Sequence, residues 1–393
     1  MAERKRVLIL SYFFTPDISA SSFRSNALLE ALVEQYPDVI FDVITTTPSR
    51  YSSFNPALNH ITQQDNVNIY RMPIPAHSGR FIGDLFAALS FFKQAIKKVN
   101  GQHYNLIYAT SAKLLTASVA SYLSRRKKIP LVLDIRDLFV ENVKDFYSAK
   151  VKFLLLPLLK LIEHYTFSQA IHINLVSPGF KPFFEKKKLS ASLSFYTNGI
   201  DDAFLSQEPF KVHSNHNRPL NLLYAGNIGR AQTLEAIVPK IAYQLGDAVK
   251  IKVIGDGRRI TKLVDKLEIL KLTNVEIIPP VAREELPYHY QRADVLFLNL
   301  DNSDSLENVI PSKLFEYAAS GKPILCGVAG YTKSFVESEI DNAQVFTPNN
   351  VNSAIEALKL LSLEKQSRQR FVSKYSRKKI IQEMADNIMK YID

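Results

Sequence analysis

A strand-then-helix rhythm runs through this chain, breaks once, and starts again. Apolar runs stand at residues 7–14, 41–46, 67–71, 106–109, 131–135, 171–176 and 193–196. Each ends in a turn, and most of the gaps are long enough for a helix. Strands alternating with helices build a parallel sheet covered by those helices. Residues 207–219 are polar and lack periodicity, which predicts a linker. The rhythm resumes at 220–224, 251–254, 275–278 and 295–299. The expected fold is therefore α/β with two Rossmann-like domains, at 1–206 and 220–375. Residues 376–393 are expected to form a C-terminal helix that crosses back to the first domain. A length of 393 residues suits two domains of roughly 100–200 residues each.

Ligands of parallel sheets bind at the carboxyl ends of the strands, so the loops there carry the functional signal. The first strand leads into a loop at 15–22, followed by a helix from about Phe23 that carries Arg24. Small residues in the loop, Ser19, Ala20, Ser21 and Ser22, let a ligand approach the backbone. No Gly-x-Gly-x-x-Gly fingerprint is present, which disfavours a dinucleotide site. The fifth strand ends in Asp134-Ile135-Arg136-Asp137. There Arg136 and Asp137 either position a substrate or form an internal ion pair. In the second half, two strands end in glycine turns, Gly226-Asn227-Ile228-Gly229 and Gly255-Asp256-Gly257. Arg230, Arg258 and Arg259 stand beside them. Backbone N–H groups in such turns can cradle phosphate, although many αβ proteins turn on glycine.

Residues 307–325 concentrate these signals. They read as loop, short helix, turn and strand, with Pro311 ahead of the helix and Ser312 expected to cap it. Gly321 and Pro323 end the helix. A helix N-terminus attracts phosphate, and Lys313 adds a cation in the same turn. Glu316 lies one turn on, where a carboxylate can accept two hydrogen bonds from a ribose diol. Anion site and diol acceptor together suggest a nucleotide diphosphate ligand. An ordinary αβ unit with surface charges fits the same letters.

Charge narrows the class of partner. Residues 1–200 hold 24 Lys and Arg against 14 Asp and Glu, a net of +10; residues 201–393 hold 25 against 24, a net of +1. A basic first half suits a phosphorylated or lipid partner. The basic residues are not interleaved with aromatics as in a nucleic-acid module. Residues 81–99 are amphipathic, with Phe81, Leu85, Leu89, Phe92, Ile96 and Val99 at helical spacing and Lys93, Lys97 and Lys98 near the end. That pattern fits a helix on a membrane surface or one facing the core. Residues 151–161 pose the same choice. The N-terminal run reads as a first strand and not a secretory leader, and no spanning helix is expected. The single cysteine, Cys326, excludes a disulfide framework and fits a cytoplasmic setting; the basic first half suits peripheral contact with an anionic membrane face. No metal-ligand spacing, Gly-x-Ser-x-Gly elbow or Walker loop is present.

The ordered set of motifs resembles retaining glycosyltransferases of family 4, with the GT-B fold. Its members are Tyr12-Phe13-Phe14-Thr15-Pro16-Asp17 with Arg24, Asp134-Ile135-Arg136-Asp137-Leu138, Asn198-Gly199-Ile200-Asp201, Tyr224-Ala225-Gly226-Asn227, Ile254-Gly255-Asp256-Gly257, Ala293-Asp294, and Pro311-Ser312-Lys313-Leu314-Phe315-Glu316 through Pro323. Within the family it looks most like the transferases of bacterial surface polysaccharides, including the N-acetylfucosamine type.

The resemblance implies two domains facing each other across a cleft. The second would hold a nucleotide diphosphate sugar and the first a glycan acceptor, expected to be polyprenyl-phosphate-linked. No cofactor or metal is implied. Glu316 matches the second Glu of the family's Glu-x7-Glu motif. The first falls at Asn308, beside Glu307, so backbone around Asn308, Val309 and Ile310 is expected to line the sugar. The family's cationic pair on the diphosphate falls at Asn227 and Gln232. That leaves Arg230, Arg258 or Lys313 to supply charge. The family's glycine loop is Ser19-Ala20-Ser21 here. Its first-domain histidine falls at Arg136, which makes Asp137 the candidate beside the reacting carbon. A nucleotide-sugar epimerase of the same fold and a non-catalytic nucleotide-sugar binder remain as alternatives.

Overall fold

The structure is a computed structural model and describes residues 4–17, 19–47, 65–74, 81–146, 149–205 and 218–392. The chain divides into two compact units, Met1–Asn198 with Lys378–Asp393, and Gly199–Arg377. Most of the expected linker, at 207–217, lies outside the described residues.

Among the described residues the first unit has seven parallel strands: β1 (Arg6–Leu10), β2 (Ile40–Thr46), β3 (Val67–Met72), β4 (Leu106–Thr110), β5 (Leu131–Ile135), β6 (His172–Leu175) and β7 (Ser192–Phe195). Their order is β3-β2-β1-β4-β5-β6-β7. The central strands β1, β4 and β5 are buried almost throughout, which is why they read as continuous apolar runs without alternation. The helices are α1 (Ala20–Gln35), α2 (Phe81–Val99), α3 (Leu114–Lys127), α4 (Phe139–Phe146), α5 (Ala149–Ser168) and α6 (Lys181–Lys186).

Among the described residues the second unit has six parallel strands: β8 (Leu220–Ala225), β9 (Val249–Ile254), β10 (Val275–Ile278), β11 (Val295–Asn299), β12 (Ile324–Gly327) and β13 (Ala343–Phe346). Their order is β10-β9-β8-β11-β12-β13. Its helices are α7 (Leu234–Leu245), α8 (Ile260–Ile269), α9 (Leu286–Arg292), α10 (Asp304–Glu307), α11 (Ser312–Ala319), α12 (Gly330–Glu339), α13 (Val351–Leu360) and α14 (Gln369–Lys374). The last helix, α15 (Arg377–Met389), lays Ile381, Met384, Ala385 and Ile388 into the first unit's core, beside Leu28 and Leu32 of α1.

Both sheets reverse strand order once, between β1 and β4 and between β8 and β11. Helices leave to opposite sides there, which opens a crevice at the carboxyl ends of the strands. This is the two-domain Rossmann-like fold expected of a GT-B chain.

Three local expectations are corrected. Helix α1 starts at Ala20 and not near Phe23, because the Ser19 hydroxyl accepts from the Ser22 N–H at 3.1 Å and caps it. Ala20 and Ser21, expected in the loop, therefore belong to the first helical turn. The stripe read on 81–99 coincides only in part with the one that packs, sharing Val99. Ala87, Phe91, Ala95 and Val99 are buried, whereas Leu89 is exposed; the side chains of Phe81 and Leu85 lie outside the described ones. Residues 199–205, assigned by sequence to the first domain, belong to the second unit. Ile200 bonds Tyr375 and Arg377 through its backbone, at 2.7 and 2.9 Å.

Candidate functional site

The second unit gathers most of the predicted donor residues at its switch point. After β8 the chain turns at Gly226, and after β9 at Gly255, both with φ of +143°. The loops lie against each other: Gly226 N–H donates to Ile254 O, and Ile228 N–H to Asp256 O, each at 2.8 Å. A Cβ at position 255 would strike the Gly226 carbonyl. Lys313, from the first turn of α11, lays its side chain across Gly226 and reaches within 5.2 Å of the Tyr224 ring centroid. The hydroxyl of Tyr317 accepts from the Ala225 N–H at 3.1 Å, which ties α11 to the end of β8.

Helix α11 opens differently from the sequence expectation. Its cap position is Pro311, in extended conformation, and no side chain caps it. Ser312 is the first helical residue. The end is as expected: Gly321 has φ +72°, and Arg368 donates to the carbonyls of Ala318 and Lys322 at 3.1 Å.

Glu316 is 7% exposed and already engaged. Its Oε1 accepts from Arg283 Nη2 at 3.0 Å and its Oε2 from the Tyr290 hydroxyl at 3.3 Å. A carboxylate offers about four acceptor sites, so these two bonds leave capacity on each oxygen. Burial and the adjacent Glu316 raise the Tyr290 pKa well above its usual value, which keeps that hydroxyl a donor. Arg283 continues to Asp201, which also pairs with Arg377 at 2.6 Å. Burial alone would raise the Asp201 pKa, but Arg377 and Arg283 hold it below the ordinary carboxylate value. Arg283, Tyr290 and Arg377 were not predicted. In Ala282-Arg283-Glu284-Glu285, Arg283 reads as one more surface charge, and only the fold brings it to Glu316.

The remaining donor candidates divide. Asn227 donates to Gln232 at 3.0 Å, so the two positions where the resemblance puts cations form a neutral amide pair. Arg230 and Arg258 are exposed on the two glycine loops. Asn308 ends the short α10. Beyond it Thr332 donates to the Val309 carbonyl at 2.6 Å, and Ile310 is buried. The neighbouring Glu307 packs against Gly330, at the start of α12.

In the first unit, Arg24 and Asp134 form a buried pair. Arg24 Nε and Nη2 each lie 3.1 Å from a different carboxylate oxygen. Arg24 also donates to the carbonyls of Thr197 and Tyr196, at 2.7 and 2.8 Å. Its guanidinium thus holds α1 to β5 and to the segment after β7. Burial works against the Asp134 charge, yet Arg24 and Arg136 keep its pKa below the usual value. Arg136 is buried and Asp137 exposed, and Arg24–Asp134 is a buried ion pair of this cluster. Ser19, Ala20 and Ser21 stand at the start of α1.

Residues 207–379 match the family described as Glycosyl transferases group 1. No curated protein matches the chain. Solved structures similar along the full length include the sucrose-phosphate synthase of Thermosynechococcus elongatus, with a TM-score of 0.74, 14% identity, and coverage of 98% of this chain and 99% of that one. The Anabaena protein HepE in complex with UDP and glucose has a TM-score of 0.70, 14% identity, and coverage of 98% and 100%. The lipopolysaccharide outer core galactosyltransferase WaaB has a TM-score of 0.63, 11% identity, and coverage of 98% and 99%. The second unit therefore matches the glycosyl transferases group 1 family, and the chain as a whole has the GT-B fold.

Proposed function

We propose that this protein is a glycosyltransferase. It moves a hexose or N-acetylhexosamine-type sugar from a nucleotide diphosphate sugar to a glycan acceptor with retention, in the building of a bacterial surface polysaccharide. One observation carries the donor half: Lys313 lies over the Gly226 turn at the N-terminus of α11, with Glu316 one turn behind it. The helix N-terminus and Lys313 stabilise the leaving diphosphate, and Glu316 accepts from the ribose diol. HepE is described in complex with UDP-glucose, which supports a UDP-sugar as the first donor to try.

The first unit suggests where the acceptor is met. Phe86 and Leu89 of α2 are exposed on the face that carries Lys93 and Lys97. On α5, Phe153 is 87% and Leu161 65% exposed, with Lys160 beside them. Apolar side chains rimmed by lysines suit an anionic lipid surface, and a lipid-linked acceptor lies there. Among the described residues no helix is long and apolar enough to cross a membrane.

The neutral Asn227–Gln232 pair favours a second reading, a non-catalytic nucleotide-sugar binder. Thermal shift against UDP-, GDP-, ADP- and dTDP-sugars, with Glu316→Ala alongside, tests the donor site. A ligand at roughly 100 times its dissociation constant adds about 2.7 kcal/mol. One nucleotide class should stabilise the wild type and not the variant; no shift with any of them sinks the donor reading. Release of free nucleotide on adding a lipid-linked glycan then separates enzyme from binder.

A further inference from the structure

The buried charges of the first unit do not balance at Arg136. Both oxygens of Asp134 are taken by Arg24, and Asn174 donates to one of them as well. Arg136 is 7% exposed, and its Nε and Nη1 have no hydrogen-bond partner. Its charged neighbours are Arg24, Asp134 and Asp137, and of these only Asp137 is exposed. Buried guanidinium donors that lack acceptors are rare, because they have lost water and gained no bond in its place.

The surroundings have the same character. Thr110 pairs in register with Asp134, so both side chains lie on one face of the sheet, and Arg136 follows at the same alternation. Thr110 Oγ1 is buried without a partner, as is Ser22 Oγ in the first turn of α1. The Arg136 N–H is fixed by Ser111 Oγ at 3.0 Å. All of these groups stand where β1, β4 and β5 end, at the switch point of the first sheet.

We propose that Arg136 is the receptor for an oxyanion of a ligand, a phosphoryl or carboxylate group, with Thr110 and Ser22 supplying hydroxyl bonds. Arg24 is the structural cation of the cluster, and Arg136 the one held for the ligand. Asp137 marks the rim, one residue from the buried group. That the oxyanion belongs to the acceptor rests on the glycosyl-transfer reading; the site itself does not.

Thermal shift of the full chain tests it, with inorganic phosphate and D-glucuronate as probes and D-glucose and matched chloride as controls. At roughly 30 times its dissociation constant a bound anion should raise Tm by about 4–8 °C. Whichever probe acts names the anion class. Arg136→Gln should abolish that response, keep any response to a nucleotide sugar, and melt no lower than the wild type without anion. Arg136→Lys should keep part of the response, since it retains the charge without the fork. An anion response unchanged in Arg136→Gln overturns the proposal, as does a wild type that answers to neither probe. A large loss of stability in anion-free Arg136→Gln would show a structural role instead. Failure of the nucleotide-sugar arm alone would sink the donor reading and leave this site standing.

Discussion

Arg283 stands between two carboxylates, with Nη2 at 3.0 Å from Glu316 Oε1 and 3.1 Å from Asp201 Oδ2. It fixes the rotamer of the residue assigned to the ribose. Arg283→Ala would leave Glu316 buried without its cation and remove one of the two arginine partners of Asp201. The expected loss is about 2–3 kcal/mol, below the full cost of breaking a buried pair because Asp201 is partly exposed. Urea unfolding measures it, and nucleotide-sugar affinity should fall with it. A variant as stable as wild type would show that the pair does not hold Glu316.

The end of α11 is as constrained as its start. At φ +72°, Gly321 occupies left-handed space, and a Cβ there would meet the Gln366 carbonyl. Gly321→Ala should cost about 1–3 kcal/mol, from backbone strain and the close contact together. The check is the urea midpoint.

His172 makes an acid-sensitive point in the first unit. Its ring nitrogens bond Ser192 and Ser194 at 2.7 and 2.8 Å, and Asn387 and Tyr391 of the C-terminal segment at 3.0 Å. Burial, helped by Lys390, lowers its pKa to about 4. The unfolded value is near 6.5. Between those values the unfolded chain binds a proton that the folded chain does not, so stability should fall as pH drops from about 6.5 to about 4. Tm against pH, with His172→Gln alongside, checks this; the variant should lose less over that range.

Membrane contact makes a salt-dependent claim. Wild type should sediment with vesicles containing anionic lipid at low salt and much less at high salt. Phe153→Asp with Leu161→Asp should reduce that binding severalfold without changing Tm. Equal binding to neutral vesicles, or none at low salt, would remove the membrane claim.

The rhythm of apolar runs exposed the fold because parallel strands buried on both faces leave an unbroken signature, as in Leu131–Ile135. The placement of Lys313 and Glu316 on one short helix was legible because helix spacing puts them one turn apart at a marked N-terminus. Arg283 was not, since it is distant in sequence from Glu316 and carries no local pattern. The Arg24–Asp134 pair spans 110 residues, and nothing nearby shows which of two arginines takes the carboxylate. Strand β13, with four residues of which one is fully buried, gave too weak a pattern to be read.

The glycine loops after β8 and β9 have a consequence for change at the proposed donor site. A side chain at 255 would collide with the backbone at 226, one at 257 with the backbone at 228, and one at 226 with Lys313. The floor of the crevice is thus main chain and nearly immutable. On the proposed reading, a drift in donor preference comes from its rim, where Arg230 and Arg258 stand exposed.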